Sequence, residues 1–533
     1  MYLKIGRRQY LALAFLACIL LAISQSIPST LTSFPYSNTN SKHSQQVLSS
    51  QVIEEQVLLV SEWIVVEAGE DLLIDNSTIV FIQDEMAIIV RDGGNLVIRD
   101  SLLYSYPSCS WWISAESGAE LLIERSTLTG SGTENQAGIN IWCDDAVVES
   151  CHLSEFGGDN INVGDCNGVR IRNNVVTDSA WEGINFGRVT DLIISGNNVS
   201  DTGYCGIFGT GSEDVTITGN TISTTTYAGV CLDRTSASVV SFNNFSETNQ
   251  NSISIEYCDS INVNGNTVFS SYGCGVLSIW STNLQIMNNE IHETVYDGVN
   301  LLTHSDNISV TNNEFYDTYS CAIVSDSSTN IFVYGNYMKD IRLNGFDGVG
   351  DSENLTAISN TMIDCGTGLN FKDAENIEAA GNWINNSMYH DINVENCGNG
   401  LIYANAFCSI GIDVGHASIN LFDWDNGTVG NYWRDYEGDD EDNNGIGDSP
   451  YVVSYGYEDN YPLVGLDSIN NFRSSFNISA YFWIPVENNT NTTTTTIINT
   501  NVSPMETLLI FSSSIQIFCV GILLIILKRR YAS

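Results

Sequence analysis

Three short stretches of this chain decide its fold, because they are nearly the same text at a fixed spacing. Ile193–Ser200 reads IISGNNVS, Thr216–Ser223 reads TITGNTIS, and Asn262–Phe269 reads NVNGNTVF. The asparagine after each glycine belongs to a series that returns about every 23 residues: Asn174, Asn197, Asn220, Asn243, Asn266, Asn289, Asn313, Asn336, Asn360, Asn382 and Asn405. Such a period is typical of a solenoid, in which each coil contacts only its neighbours.

Each repeat holds short apolar alternations of β-branched and aromatic residues, punctuated by Gly, Asn and Asp. No window shows a sustained helical period, so we predict an all-β parallel β-helix. Ser77, Ser101, Ser126 and Cys151 continue the same frame upstream, which gives about fifteen coils. We expect the asparagines to lie at a bend, with left-handed φ, and to bond one another as a ladder of amides.

The two ends of the chain predict export and anchoring. A basic start followed by an apolar run is typical of a secretory signal, and the apolar segment near the C-terminus is long enough to span a bilayer. The predicted organisation is a signal peptide at 1–26, a linker at 27–50, β-helix repeats at 51–425, a cap at 426–466, an Asn/Thr-rich stalk at 467–505, one transmembrane helix at 506–528 and a cytoplasmic tail at 529–533. The repeats would then lie outside the cell.

Composition narrows the range of partners. The net charge of −44 disfavours nucleic acid and anionic membrane surfaces. Eleven Asn-x-Ser/Thr sequons make glycosylation plausible in an exported chain. The cysteines do not align on neighbouring coils, so we predict buried thiols, with Cys397–Cys408 as one candidate local bridge.

Seven residues after the repeated asparagine, aromatic residues stand on three successive coils: Trp181, Tyr204 and Tyr227. Exposed aromatic rings at this spacing would bind sugar rings, which makes these residues the candidate ligand-binding site. The alternative is that the rings only pack against one another.

One position further, Asp159 and Glu182 stand on adjacent coils. A close pair of carboxylates is what glycoside hydrolysis uses, so these two are the candidate catalytic residues. In so acidic a chain the pair can also arise by chance. A separate column, four residues after the ladder position, is also mostly acidic from Glu155 to Asn386, and it either starts turns or binds divalent cations.

The most specific text follows the last coil, where Asn431–Tyr451 reads NYWRDYEGDDEDNNGIGDSPY. This motif resembles the C-terminal signature of NosD-like β-helix proteins, and the repeats resemble the carbohydrate-binding and sugar-hydrolase class of β-helices. The resemblance covers roughly Val57–Val464 and implies a right-handed parallel β-helix of the pectin-lyase-like type. It does not imply copper chemistry, because the chain shows no cluster of copper ligands.

Within that motif, oxygen-bearing residues alternate as they do in a calcium loop. The predicted ligands are Asp440, Asp442, Asn444, the carbonyl of Ile446, and Asp448. Tyr451 stands where an EF-hand has its bidentate glutamate. The alternative is an acidic turn whose aromatic residues cap the open end of the solenoid.

These features together favour a membrane-anchored surface protein that binds or scaffolds, with glycans as the preferred partner. The acidic, Asn- and Thr-rich ectodomain suits an archaeal envelope. One alternative is a polysaccharide hydrolase, lyase or epimerase on the side wall of the β-helix. Another is a purely structural component of the envelope. Fold alone does not decide among them.

Overall fold

Three parallel β-sheets run the length of the repeats in the computed structural model, which describes residues 45–47, 51–107, 109–130, 137–409, 422–454 and 457–476. Each coil contributes one strand to sheet A, then one to sheet B, then one to sheet C, and every strand pairs with its counterpart one coil away. The prediction of an all-β parallel solenoid is confirmed. Sheet A contains sixteen strands rather than the fifteen expected, because one coil precedes Ser77.

The strand bounds follow the repeat. Sheet A comprises Gln45–Val47, Trp63–Val66, Met86–Val90, Trp111–Ala115, Ile139–Ile141, Ile161–Gly164, Ile184–Gly187, Ile207–Thr210, Val230–Asp233, Ile253–Glu256, Val276–Ile279, Val299–Leu302, Ile323–Asp326, Asn344–Val349, Thr367–Lys372 and His390–Glu395. Sheet B comprises Gln51–Glu54, Asp71–Asp75, Asn95–Arg99, Glu120–Glu124, Val147–Glu149, Arg170–Arg172, Ile193–Ser195, Thr216–Thr218, Ser236–Ser241, Asp259–Asn264, Thr282–Met287, Asp306–Thr311, Thr329–Tyr334, Glu353–Ile358, Glu375–Ala380, Gly400–Tyr403 and Phe422–Asp423. Sheet C comprises Val57–Val60, Thr78–Phe81, Leu102–Ser105, Thr127–Thr129, His152–Ser154, Val175–Thr177, Asn198–Thr202, Thr221–Thr225, Asn244–Thr248, Thr267–Ser271, Glu290–Thr294, Glu314–Tyr316, Tyr337–Lys339, Thr361–Ile363, Trp383–Asn385, Ala406–Phe407 and Tyr432–Trp433. Tyr451–Ser454 and Tyr457–Asp459 form an antiparallel hairpin, and helix α1 is Asp467–Ser475.

The core is filled by the inward side chain of each strand, since alternate residues point to opposite faces of a sheet. In Ile184–Gly187, for example, Ile184 and Phe186 are fully buried while Asn185 points outward. Small residues precede the sheet A strands because the coils approach closely there. A Cβ atom on Gly206 would lie 2.8 Å from the carbonyl oxygen of Gly229 on the next coil.

The repeated asparagines form a buried ladder at the corner between sheets B and C. The Asn197 backbone N–H and Nδ2 both donate to Oδ1 of Asn220, at 2.9 and 3.0 Å, and Nδ2 also donates to the Ile171 carbonyl at 2.9 Å. The left-handed residue is the one before each ladder position, such as Gly196 at φ +64°, rather than the asparagine itself. The expectation of left-handed φ at the asparagine is therefore wrong, because its side chain must point inward to bond along the axis.

The ladder extends one rung beyond the sequence prediction and ends on a carboxylate. Asn405 donates to Oδ1 of Asn431 at 3.1 and 2.9 Å, although these residues are 26 apart. The Asn431 backbone N–H then donates to Oδ2 of Asp459 at 2.7 Å, and Trp433 Nε1 donates to the same oxygen at 2.8 Å. Burial raises the pKa of Asp459 to about 6. Asn431, the first residue of the NYW sequence in the motif, is thus the last rung of the ladder.

Two segments predicted as linker and stalk contain regular structure. Gln45–Val47 pairs in parallel with Trp63–Val65, so the first coil begins inside the predicted linker at 27–50. Helix α1 lies inside the predicted stalk at 467–505 and folds back onto the coils. Arg473 Nη2 donates to Thr361 Oγ1 at 2.8 Å and to the Ser359 carbonyl at 3.1 Å. The helix was missed because few of its residues are apolar.

Other predicted segments lie outside the described residues: the signal peptide at 1–26, the transmembrane helix at 506–528 and the tail at 529–533. Among the described residues, no helix has the length and apolar character needed to cross a bilayer.

Most cysteines of the coils are buried free thiols, as the sequence predicted: Cys143, Cys151, Cys166, Cys205, Cys231, Cys258, Cys274, Cys321, Cys365 and Cys397. The Cys397 thiol donates to the Glu395 carbonyl oxygen at 3.4 Å. The candidate Cys397–Cys408 bridge is therefore wrong.

Candidate functional site

The predicted ligand-binding aromatics lie together on the turn that joins each sheet C strand to the next sheet A strand, hereafter the C/A edge. The Tyr204 N–H donates to the Trp181 carbonyl at 3.1 Å, and the Tyr227 N–H donates to the Tyr204 carbonyl at 3.0 Å. The rings of Tyr204 and Tyr227 stack at 4.7 Å with an angle of 1° between their planes. Each of these two rings therefore covers one face of the other, and Tyr204 remains 46% exposed.

Trp181 lies one coil before this pair and is 48% exposed. Its backbone is fixed by the N–H bond to the Gly158 carbonyl at 3.3 Å, so the large indole projects from a rigid turn. A rigid aromatic ring at the solvent boundary offers an apolar face without much loss of side-chain entropy on binding. Trp181 is thus the ring of the three best placed to contact a ligand.

The predicted catalytic pair lies beside these rings and is almost buried. Asp159 is 7% exposed and Glu182 is 9% exposed. The Glu182 backbone N–H donates to Asp159 Oδ1 at 3.1 Å, and Asn185 Nδ2 donates to Oδ2 at 3.0 Å. Burial, together with the hydrogen bond and the charge of Asp159, raises the pKa of Glu182 to about 8. This raised pKa favours the protonated form of Glu182 at neutral pH.

This geometry limits the chemistry. Retaining glycosidases separate their two carboxyl groups by about 5 Å, and inverting enzymes by more, to admit the sugar or a water molecule. Asp159 and Glu182 are instead buried against each other, with the Glu182 backbone N–H donating to Asp159 Oδ1 at 3.1 Å. The raised pKa of Glu182 lets the pair supply a proton donor at neutral pH.

A contact rule links the C/A edge to the outward face of sheet A. A side chain at the edge touches the outward side chain 26 residues later, on the next coil. Asp159 contacts Asn185 in this way, Cys321 Sγ lies 3.7 Å from Asp347 Oδ2, and Cys205 and Cys231 pack in one buried cluster with Ala228. Sequence reasoning missed these pairs because it compared only residues at the same position of the repeat.

Asparagines recur on the outward face of sheet A, hereafter the sheet A face. Its outward asparagines are Asn140, Asn162, Asn185, Asn300, Asn370 and Asn393. Asn162 Nδ2 donates to Asn140 Oδ1 at 3.2 Å, and Asn393 Nδ2 donates to Asn370 Oδ1 at 2.7 Å. This face offers amide donors and acceptors to a polar ligand.

A second acidic group lies further along the solenoid, where Asp297 stands at the same repeat position as Asp159 and Glu182. Asn300 Nδ2 donates to Asp297 Oδ2 at 2.7 Å, and the Cys321 N–H donates to Oδ1 at 3.0 Å. Burial raises the pKa values of both Asp297 and Asp347. Asp347 lies two coils further along the rod and was not visible as a partner, because it occupies a different repeat position.

The acidic column four residues after the ladder position is a column of turn residues. Every member has left-handed backbone, with φ between 50° and 62°: Glu155, Asp178, Asp201, Thr224, Glu247, Ser270, Glu293, Asp317, Asp340, Asp364 and Asn386. Asp and Asn tolerate this conformation better than most residues. The turn interpretation accounts for the column without a bound cation.

The predicted calcium residues form a tight loop at the end of the solenoid. Asp440 Oδ1 and Oδ2 accept from the N–H groups of Asn444 and Gly445, at 3.0 and 2.9 Å. Asp442 accepts from the Asn444 N–H at 3.2 Å, and the Ile446 N–H donates to Asn444 Oδ1 at 2.7 Å. Asp448 Oδ2 accepts from the Glu441 N–H at 2.7 Å. The oxygens thus converge on the loop's own backbone, and calcium binding stays a prediction.

Two family models match most of the repeats. The model described as right handed beta helix region matches 62–186 and 137–291, and the one described as periplasmic copper-binding protein (NosD) matches 280–438. Fold and matches define a right-handed parallel β-helix protein. The chain belongs to the NosD-like right-handed β-helix family.

Solved structures with a similar fold include the periplasmic alginate epimerase AlgG, at 15% identity and a TM-score of 0.48 over 55% of this chain and 78% of that one. The Azotobacter vinelandii mannuronan C-5 epimerase AlgE4 A-module is 13% identical, with a TM-score of 0.42 over 54% of this chain and 87% of that one. The Dettilon tailspike protein is 16% identical, with a TM-score of 0.34 over 60% of this chain and 60% of that one. No curated protein matches. At these identities the likeness is one of fold.

In the part of the chain that the structure describes, no set of side chains matches the ligands needed for the copper named in the family description. No three His, Cys, Asp or Glu side chains are grouped there to hold a metal ion. The described residues therefore support no step through copper.

Proposed function

We propose that the protein binds a polysaccharide at the C/A edge, along the border of the sheet A face. One observation carries this proposal: the exposed indole of Trp181 stands next to the acid pair of Asp159 and Glu182. A sugar ring presents an apolar face to an aromatic ring and hydroxyls to polar groups. The edge supplies both within one coil spacing, about 4.8 Å.

The charge of the site favours a neutral glycan over a uronate. The chain carries a net charge of −44. In the sheet A strands that the structure describes, Lys372 is the single lysine or arginine, and it pairs with Glu395 at 3.0 Å. A uronate carboxylate would meet no free cation on those strands, and Arg342, on the C/A edge several coils from Trp181, lies over the Tyr319 ring. A neutral hydroxyl can instead donate to an oxygen of the acid pair and bond the amides of the face.

Isothermal titration of the purified chain with soluble neutral glucans, mannans and alginate tests the proposal. Trp181→Ala should weaken binding of the neutral polymer about tenfold, because it removes the one large exposed ring beside the acid pair. Phe269→Ala is the matched control, since Phe269 is 49% exposed on sheet C, away from the edge. Equal losses for both variants, or no binding of any polymer by the wild type, would contradict the proposal.

A second candidate is a polysaccharide-cleaving enzyme at the same edge. The observation in its favour is the pKa of Glu182 near 8, which keeps a proton donor beside a carboxylate acceptor at neutral pH. Incubation with neutral and uronate polymers, followed by detection of reducing ends and unsaturated products, tests it. Product that disappears in Glu182→Gln supports catalysis, and absence of product from every polymer rejects it.

A further inference from the structure

Glycosylation sequons avoid the sheet A side of the molecule. Seven of them lie in the described residues: Asn76, Asn198, Asn244, Asn307, Asn354, Asn385 and Asn426. Asn198, Asn244 and Asn385 belong to sheet C strands, Asn307 and Asn354 to sheet B strands, Asn76 to the corner between those sheets, and Asn426 to the cap. Among the described residues no acceptor asparagine of a sequon lies on a sheet A strand, and Asn385, the last residue of its sheet C strand, is the one that borders the C/A edge.

A shortage of asparagine does not explain this distribution. The sheet A face carries six outward asparagines, and for every one of them the residue two positions later is neither Ser nor Thr. Since alternate residues of a strand share a face, that later residue usually stands on the same surface. After Asn162 and Asn185 it is Gly164 and Gly187, and after Asn370 it is Lys372.

The acceptor positions on sheet C are suited to a large modification. Asn198 and Asn244 are both exposed, occupy the first position of their strands, and point away from the core. They lie two coils apart in the same column, about 9.6 Å at the spacing of parallel strands. A glycan on either nitrogen would extend into solvent on the side of the molecule that bears no candidate ligand residue.

We propose that the exported chain is N-glycosylated at Asn198 and Asn244 and that the sheet A face is kept free of glycans as the ligand surface. This rests on the proposed polysaccharide binding and on export of the chain. In the transfer, Nδ2 loses a proton and bonds to C1 of a lipid-linked oligosaccharide. The C1–O bond to the lipid pyrophosphate breaks, and the pyrophosphate leaves with the electron pair.

Site mapping tests the modification alone. The full chain is produced in a eukaryotic secretory host, and its glycans are released enzymatically in ¹⁸O water, so that each occupied asparagine is read by mass spectrometry as labelled aspartate. We expect label at Asn198 and Asn244. Export of a chain that lacks label at both sites, or failure of the chain to enter the pathway, overturns the modification without reference to ligand binding.

Added sequons test the role of the face. Gly187→Thr completes a sequon with Asn185, and the new Cβ would lie 3.3 Å from Thr210 Cγ2 at a backbone without left-handed φ. Val175→Asn completes one with Thr177 on sheet C, where Val175 is 37% exposed. Leu302→Thr, which completes a sequon with Asn300, replaces the first variant if that variant does not fold.

Titration with the polymer that the wild type binds gives the result. The glycosylated sheet A variant should bind at least about tenfold more weakly, and the sheet C variant should bind as the wild type does. Gly187→Thr from a host without N-glycosylation is the control, and it should retain binding. Equal effects of the two added glycans would overturn the claim about the face. No binding by the wild type would reject the proposed function and leave the site map standing.

Discussion

Two corners of the same coil are built in opposite ways. At the corner between sheets B and C, one residue type recurs from Asn174 to Asn431, and each side chain bonds the next rung. At the C/A edge, successive coils carry Asp159, Glu182, Cys205 and Ala228 at equivalent positions. A ladder of amides works only if neighbours are alike, whereas the edge has no such constraint. The uniform corner is framework, and the variable edge is where chemistry can be placed.

The largest expected effect comes from breaking the ladder. Asn266 accepts from the Asn243 N–H and Nδ2, and its own Nδ2 donates to the Val240 carbonyl and to Asn289 Oδ1, all at 2.9 to 3.0 Å. Asn266→Ala leaves these buried partners unsatisfied. We expect the free energy of unfolding to fall by about 4–6 kcal/mol, measured by denaturant titration.

Asn198→Ala is the control for that change, because Asn198 is exposed and lies beside a ladder residue in sequence. Its effect should stay within about 0.5 kcal/mol. Similar losses for the two variants would contradict the distinction between a framework corner and an ordinary surface position.

The second effect tests the edge. The pKa of Glu182 is raised from 4.5 to about 8, so between these values the folded state binds more protons than the unfolded state. Stability should therefore decrease as pH rises from about 5 to about 8. Glu182→Gln lacks this pH dependence. Between pH 5 and pH 8.5, the free energy of unfolding of the variant should therefore rise relative to that of the wild type by about 3–4 kcal/mol. If the difference in free energy of unfolding between the two proteins stays constant over this pH range, the pKa of Glu182 is not raised in the folded state.

The third effect concerns the point where the framework ends. Burial raises the pKa of Asp459 from 3.8 to about 6, so its ionisation in the folded state costs stability as pH rises from about 4 to about 6. Melting curves over this range should show a loss of up to about 3 kcal/mol in the wild type that Asp459→Asn lacks. Asp435→Asn, at an exposed position of the cap, should keep the wild-type slope. If the Asp459 variant keeps it too, the ladder does not end on an ionised carboxylate.

The smallest effect is that of calcium on the cap loop. If the predicted ligands bind Ca²⁺, free Ca²⁺ at ten times its Kd should stabilise the chain by about 1.4 kcal/mol. Asp442→Ala should abolish this gain because Asp442 is a predicted ligand. Calorimetric melting with and without Ca²⁺ measures it, and an unchanged midpoint for the wild type would count against the loop as a metal site.

How much the sequence could predict follows from the repeat. The asparagine spacing gave the parallel solenoid and the neighbourhood of Trp181, Tyr204 and Tyr227. It missed Asn431 because residues inserted after Asn405 stretch the last step to 26. Asp459 was invisible since its position belongs to no repeat. Pairs such as Cys205 with Cys231 were missed because a contact between different repeat positions leaves no column in an alignment of the repeats.

Helix α1 was missed for a different reason: a few side chains hold it in place. Ile469 is fully buried, Phe472 meets Tyr403 edge to face at 5.7 Å, and Gly381 leaves room for the Phe472 ring. A sequence with so few apolar residues carries no amphipathic signal strong enough to predict docking.

This docking decides how the molecule would respond to mechanical load. The Phe476 ring lies 5.6 Å from that of Tyr334, several coils before the last one, so the described chain ends on the flank of the solenoid. A pull applied through the residues that follow would first act on α1 in shear, across its contacts with Ser359 and Tyr403. It would not peel the final rung from Asn405. Helix α1, which is not part of the repeats, would therefore bear such a force before the terminal coil does.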